Sequence, residues 1–171
     1  MSLGMKMTKT RTALGAITLS LLAVCTVAVG SAQAAATCQP TSNAQNGAAA
    51  QASNAMRKGK GLAPLAPNAR LARIAAAHAC DMARRGTMTH KGSTSAGPKQ
   101  RAKAAGYAPR IIAENIAAGP FSQGQAMAAW AGSRGHAANI LIPQVRDFGI
   151  GRAVGADGRT VYWSAVYAAP R

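Results

Sequence analysis

The sequence predicts an α+β layered domain. Three observations carry that expectation. Helix-patterned segments come first, two strand-patterned runs joined by a glycine-containing turn close the chain, and no regular alternation of strand and helix suggests a doubly wound sheet. The 171 residues allow one compact domain. The apolar class makes up 49% of them, which excludes general disorder, but 42 are alanine and only seven are aromatic. Any core is therefore built from small side chains around a few large anchors.

The first element is a targeting segment. Lys6, Lys9 and Arg11 precede an uncharged run from Thr12 to Gly30, and Ala32-Gln33-Ala34 offers the small-residue pattern a signal peptidase accepts. Residues 1–34 are read as a secretory signal, 35–49 as an N-terminal segment and 50–171 as the domain proper. An uncleaved anchor is the alternative, since the 18 residues from Ala13 to Gly30 approach the roughly 20 that cross a bilayer. Gly, Ser and Thr dilute that run, so no stable span is expected after cleavage. Cys25 after Leu22-Ala23-Val24 hints at a lipoprotein signal, but valine is bulky for the position before the cysteine.

Lys6, Lys9 and Arg11 leave with the signal, so the mature chain keeps 17 of the 20 basic residues against all 4 acids. Such a field attracts polyanions outside the cytoplasm, among them lipopolysaccharide, teichoic acid and other anionic polysaccharide or lipid. The basic residues are dispersed and aromatics scarce, which argues against a specific nucleic-acid surface. Cys38 and Cys80 remain as an even pair in an oxidising compartment, and one disulfide is expected between them. A monomer is expected, located in the periplasm or the medium.

Alanine-rich residues 41–58 predict a helix from about Ala44, weakened at Gly47. Pro67 can occupy a first helical turn, and Leu71, Ile74, Ala75, His78 and Met82 recur at helical spacing until Gly86 ends the run. His78 lies on that apolar stripe and reads as a packed histidine with one internal hydrogen bond. Pro98 opens a short helix that Gly106 closes. Arg110–Ala113 is short and partly β-branched, and 123–133 repeats Ala126, Met127 and Trp130 at helical spacing. Asp147–Val154 and Thr160–Tyr167 form a hairpin across Gly155-Ala156-Asp157-Gly158. Gly149 and Gly151 inside a strand signal a bulge or close backbone approach. Trp130 and Trp163 read as core anchors.

With three histidines and four acids in the chain, each placement is informative. His90, Glu114 and His136 all fall at the expected ends of elements, where cleft residues gather. Two imidazoles and a carboxylate can hold zinc with a coordination position left open.

Leu71-x-x-x-Ala75-x-x-His78-Ala79-x-Asp81-Met82-Ala83, Met88-x-His90, Ala105-Gly106-Tyr107, Ala113-Glu114-Asn115-Ile116, Trp130-x-x-Ser133-x-Gly135-His136-x-x-Asn139-Ile140-Leu141, Phe148-Gly149-Ile150-Gly151 and Tyr162-Trp163 follow one another in order. Together they resemble the bacterial branch of the CAP superfamily, the cysteine-rich secretory, antigen 5 and pathogenesis-related 1 proteins, also called SCP-like. The resemblance implies an exported three-layer α-β-α sandwich with a central antiparallel sheet. It also implies a cleft of two histidines and two acids that holds divalent metal in some members. His90, Glu114 and His136 match three of those positions. Residues 115–135 contain no Asp or Glu for the fourth, and Gln123 or Gln125 is the nearest substitute. That departure weakens the pull on calcium and leaves zinc as the favoured metal.

Three functional classes follow. A secreted, non-catalytic binding module comes first, because the matched residues include no evident nucleophile. A hydrolase is the second, with Glu114 as base for a metal-bound water or with Ser133 beside His136. The third is a charge-driven binder of envelope polyanions or nucleic acid.

Overall fold

The computed structural model describes residues 34–171. The expected signal at 1–34, with its anchor and lipoprotein alternatives, lies outside these residues but for Ala34. In chain order the elements are β1 (Thr37–Gln39), α1 (Asn43–Lys58), β2 (Ala66–Pro67), α2 (Ala69–Arg85), α3 (Pro98–Ala104), β3 (Pro109–Gly119), α4 (Gln123–Gly132), α5 (Arg134–Ile140), β4 (Asp147–Val154) and β5 (Val161–Pro170). The boundary expected between residues 49 and 50 falls inside α1.

The strands form one sheet in the order β1-β4-β5-β3. Every pairing along that path is antiparallel, and the two-residue β2 adds a parallel bridge to β4. Helices cover both faces, which is the three-layer α-β-α sandwich with five helices around a central antiparallel sheet. Alternation along β5 divides the core: Trp163, Ala165 and Tyr167 join α1, α4 and α5 on one face, while Tyr162, Val166 and Ala168 meet α2 and α3 on the other.

Few large side chains anchor each layer. Trp130 and Trp163 are buried, and the Trp130 indole N–H donates to the Ile116 carbonyl. Phe148 and Tyr167 stack at 5.2 Å in a tilted pair. The expected α2 stripe of Leu71, Ile74, Ala75, His78 and Met82 is buried throughout. Gly149 and Gly151 settle as close approach: a Cβ at either would collide with the α2 backbone at Leu71–Ala72 or Ala75–Ala76. Sheet and helix can touch here only because both side chains are missing.

Several local readings change. Pro67 lies in β2, and α2 starts at Ala69, because the Asn68 side chain accepts from the N–H groups of Arg70 and Leu71 and caps the helix one residue later. Gly47 does not delay α1, whose start is fixed by a capping box between Ser42 and Gln45. The run at Arg110–Ala113 extends to Gly119 because ten residue pairs with β5 carry it through Glu114 and Asn115. β3 thus falls between helices, and Glu114 sits mid-strand instead of at an element end.

Two links hold the periphery. Cys38 and Cys80 form the expected disulfide, with Cα atoms 5.3 Å apart, tying β1 to α2 across 42 residues. Arg57 is fully buried with no carboxylate beside it; its guanidinium donates to the carbonyls of Ala63, Ile140, Ile142 and Val145. It replaces the backbone partners that two irregular segments lack.

Candidate functional site

Glu114 is the centre of the site. It lies on the edge strand β3 with its side chain wholly buried, in a position where an unpaired carboxylate would be costly. Each oxygen is engaged. Oε1 accepts from Arg101 Nη2 at 2.6 Å and from the Ser164 hydroxyl at 3.0 Å, and Oε2 stands 2.9 Å from His90 Nδ1. Burial pushes the carboxyl upward, but the hydrogen bond from His90 and the charge of Arg101 outweigh it and hold Glu114 below the usual carboxylate range.

The partners come from four elements. Arg101 projects from α3 and also donates to the His90 carbonyl and the Ser95 hydroxyl, fixing the loop after α2. His90 stands on that loop with 54% of its side chain exposed, so it closes the cluster toward solvent. His78 on α2 is buried; its Nε2 lies 2.9 Å from the Thr89 carbonyl and 3.7 Å from Glu114 Oε2. Burial holds the imidazole below its ordinary range, opposed by Glu114, so the ring is neutral at pH 7. The carbonyl partner then assigns the N–H to Nε2 and leaves Nδ1 a bare acceptor.

The structure therefore brings together His90 and Glu114, which the sequence singled out, and adds His78, Arg101 and Ser164. The His136 ring makes no hydrogen bond or ion pair with them among the described residues. It sits in the first turn of α5, where its Nδ1 pairs with Ser133 at 2.9 Å. Its carbonyl accepts from Asn115, while Asn139 donates to Asn115 and to the Glu114 carbonyl. Asn115 and Asn139 thereby pin α5 to β3. Gln125 is spent on the α4 capping box, and Gln123 donates to the Gln45 carbonyl.

Among the described residues no three His, Cys, Asp or Glu side chains gather to hold a metal ion. The donor set of His90, Glu114 and His136 does not fit one as arranged. A guanidinium already occupies the carboxylate, and a second cation would meet its charge there. Nothing in the sequence marks Arg101 for this role, since it is one of many dispersed arginines. Ser164 did carry a signal, as a small polar residue in the apolar strand Val161–Pro170.

Helix layers about this sheet, with a glutamate on its edge strand paired to a loop histidine, define an SCP-like domain. The sequence profile of the Cysteine-rich secretory protein family, CAP, matches residues 50–167, and the chain belongs to that family. It is 34% identical over 98 residues to the uncharacterized protein YkwD of Bacillus subtilis, a match covering 57% of this chain and 38% of that protein. The chain thus spans about two fifths of that relative's length. An outer surface protein of Borrelia burgdorferi shares the fold at a TM-score of 0.67 and 18% identity, over 77% of this chain and 96% of that one. An extracellular SCP-domain protein of Bacillus anthracis matches at 0.65 and 24%, over 74% and 40%. NaASP2, a relative crystallised with zinc, matches at 0.52 and 14%, over 75% and 81%. The Bacillus anthracis protein is named as extracellular and the Borrelia protein as an outer surface protein. No described helix is long and apolar enough to cross a membrane.

Proposed function

We propose that this chain is exported and works as a non-catalytic, monomeric binding module for an anionic polysaccharide or lipid outside the cytoplasm. The observation that carries the reading is the burial of Glu114 among cationic and hydroxyl partners. A general base must reach substrate or water, whereas the Glu114 side chain is wholly buried, with Arg101 and Ser164 on one oxygen and His90 on the other. The cluster is better suited to fixing α3 and the loop after α2 against the sheet.

One contact supports a second reading. Ser133 and His136 pair at 2.9 Å, as a nucleophile and its base would. A serine hydrolase also needs a carboxylate to orient the histidine, and Glu114, the carboxylate of this site, is committed to Arg101. Turnover of an ester and peptide panel decides between them. The binding module predicts none above background, and hydrolysis abolished by Ser133→Ala replaces it with the hydrolase.

Zinc at His90, Glu114 and His136 would share the Glu114 carboxylate with the Arg101 guanidinium, whose charge opposes it. Calorimetric titration of metal-free protein is expected to give a flat trace. Heat that disappears in His90→Ala would assign the metal to this cluster.

A further inference from the structure

Behind the Glu114 cluster lies a cleft of about 470 Å³ between α2, the loop at 92–95 and α3. One stripe of α2 forms its floor, with Arg70, Arg73, Ile74, His78, Asp81 and Arg84 brought to the same side by helical spacing. Ser93, Thr94 and Ser95 contribute hydroxyl groups, and Arg101 closes the far side. Small residues, three alanines and Gly92, leave the space open.

We propose that this cleft binds a segment of acidic polysaccharide. The proposal rests on the binding-module reading above and names its site and ligand class. Four guanidinium groups line the cleft; that of Arg101 is paired with Glu114, and the one carboxylate in the lining, Asp81, accepts from Arg85 and the Ser93 N–H through Oδ2, which leaves Arg70, Arg73 and Arg84 as the cleft's excess positive charge. Arg73 and Arg84 are exposed and make no hydrogen bond or ion pair among the described residues, so their planar forks are free for carboxylate, sulfate or phosphate oxygens.

The geometry selects a chain of charges over a single ion. Arg70 and Arg84 stand 14 residues apart on α2, about 21 Å at the helical rise, so no one anion reaches both ends. A linear polymer several sugar units long does. Two buried nitrogen atoms of cleft-lining residues, His78 Nδ1 and Arg101 Nε, have no hydrogen-bond partner. Nδ1 is an acceptor and Nε a donor, so each matches one of the two hydrogen-bonding roles of a sugar hydroxyl, whereas a bare anion offers acceptors alone. No Phe, Tyr or Trp lines the cleft, which removes the stacking platform that single-stranded nucleic acid uses.

Binding to heparin and polygalacturonate, with neutral dextran as control, tests the proposal by affinity and salt dependence. Arg73→Ser/Arg84→Ser is compared with Lys58→Ser/Lys60→Ser, an equal charge loss at the exposed end of α1. The cleft pair is expected to weaken binding about tenfold or more and to flatten the salt dependence, and the control pair to weaken it less than about twofold. Equal losses would assign binding to diffuse charge and overturn the site. So would failure of wild type to bind either polymer, or cleft-dependent binding confined to phosphatidylglycerol vesicles or single-stranded DNA. Turnover sensitive to Ser133→Ala would remove the binding-module reading alone, because it leaves the Arg73 and Arg84 comparison intact.

Discussion

Replacing Arg101 by methionine is the most direct probe of the site, because it keeps the packing volume and removes the charge that Glu114 depends on. The carboxylate would lose its 2.6 Å partner while remaining fully buried, with only Ser164 and His90 left. Breaking one side of a buried ion pair costs about 3–5 kcal/mol. In the native protein Glu114 is held below its ordinary 4.5, so its ionised form adds stability that is complete above that pH and fades as pH falls through the native value. In Arg101→Met burial is no longer balanced and the carboxyl is pushed upward, so the loss is largest near pH 7. It shrinks as pH falls through the variant's raised value and shrinks further below about pH 4.5, where the unfolded chain is protonated as well. About 1 kcal/mol persists there from the bonds to Ser95 and the His90 carbonyl. Urea denaturation of both proteins between pH 3.5 and 7 measures this directly, and Arg101→Met/Glu114→Gln is expected to recover part of the loss at pH 7. A cost below about 1 kcal/mol at pH 7, or one that does not vary with pH, would refute the account of Glu114 as an ion-paired structural carboxylate.

Three further outcomes are expected. Arg57→Met removes the donor from four carbonyls, two of them on the buried residues Ile140 and Val145, and should destabilise the fold by about 3–5 kcal/mol, read by the shift in denaturant midpoint. Gly151→Ala forces a methyl group into the α2 backbone and should cost about 3 kcal/mol or more in thermal unfolding, with partial relief only if α2 shifts. Cys38→Ser/Cys80→Ser opens a 42-residue loop and should lower stability by about 4 kcal/mol, matched by wild type under a reductant strong enough to open the bridge.

The legible parts of this protein are those set by local rules. Periodicity placed α2 and its buried stripe, since one face of a helix repeats every three to four residues whatever it packs on. Glycine spacing at 149 and 151 announced close approach because only a missing Cβ permits it, and the count of cysteines implied the bridge. The ends of elements were less legible. Asn68 capped α2 one residue after Pro67, and β3 ran past Ala113 because β5 supplied partners that no feature of residues 114–119 displays.

The sequence by itself determined an alanine-built α+β domain of the CAP family, its helix stripes, its disulfide and the chemical singularity of His90 and Glu114. Tertiary structure alone decided what Glu114 does. Arg101 is 13 residues away and Ser164 is 50 away, and neither spacing nor composition distinguishes Arg101 from the other basic residues. Which cation neutralises a buried carboxylate depends on the path of the chain in three dimensions. Coulomb energy falls with distance in space and is indifferent to distance along the sequence.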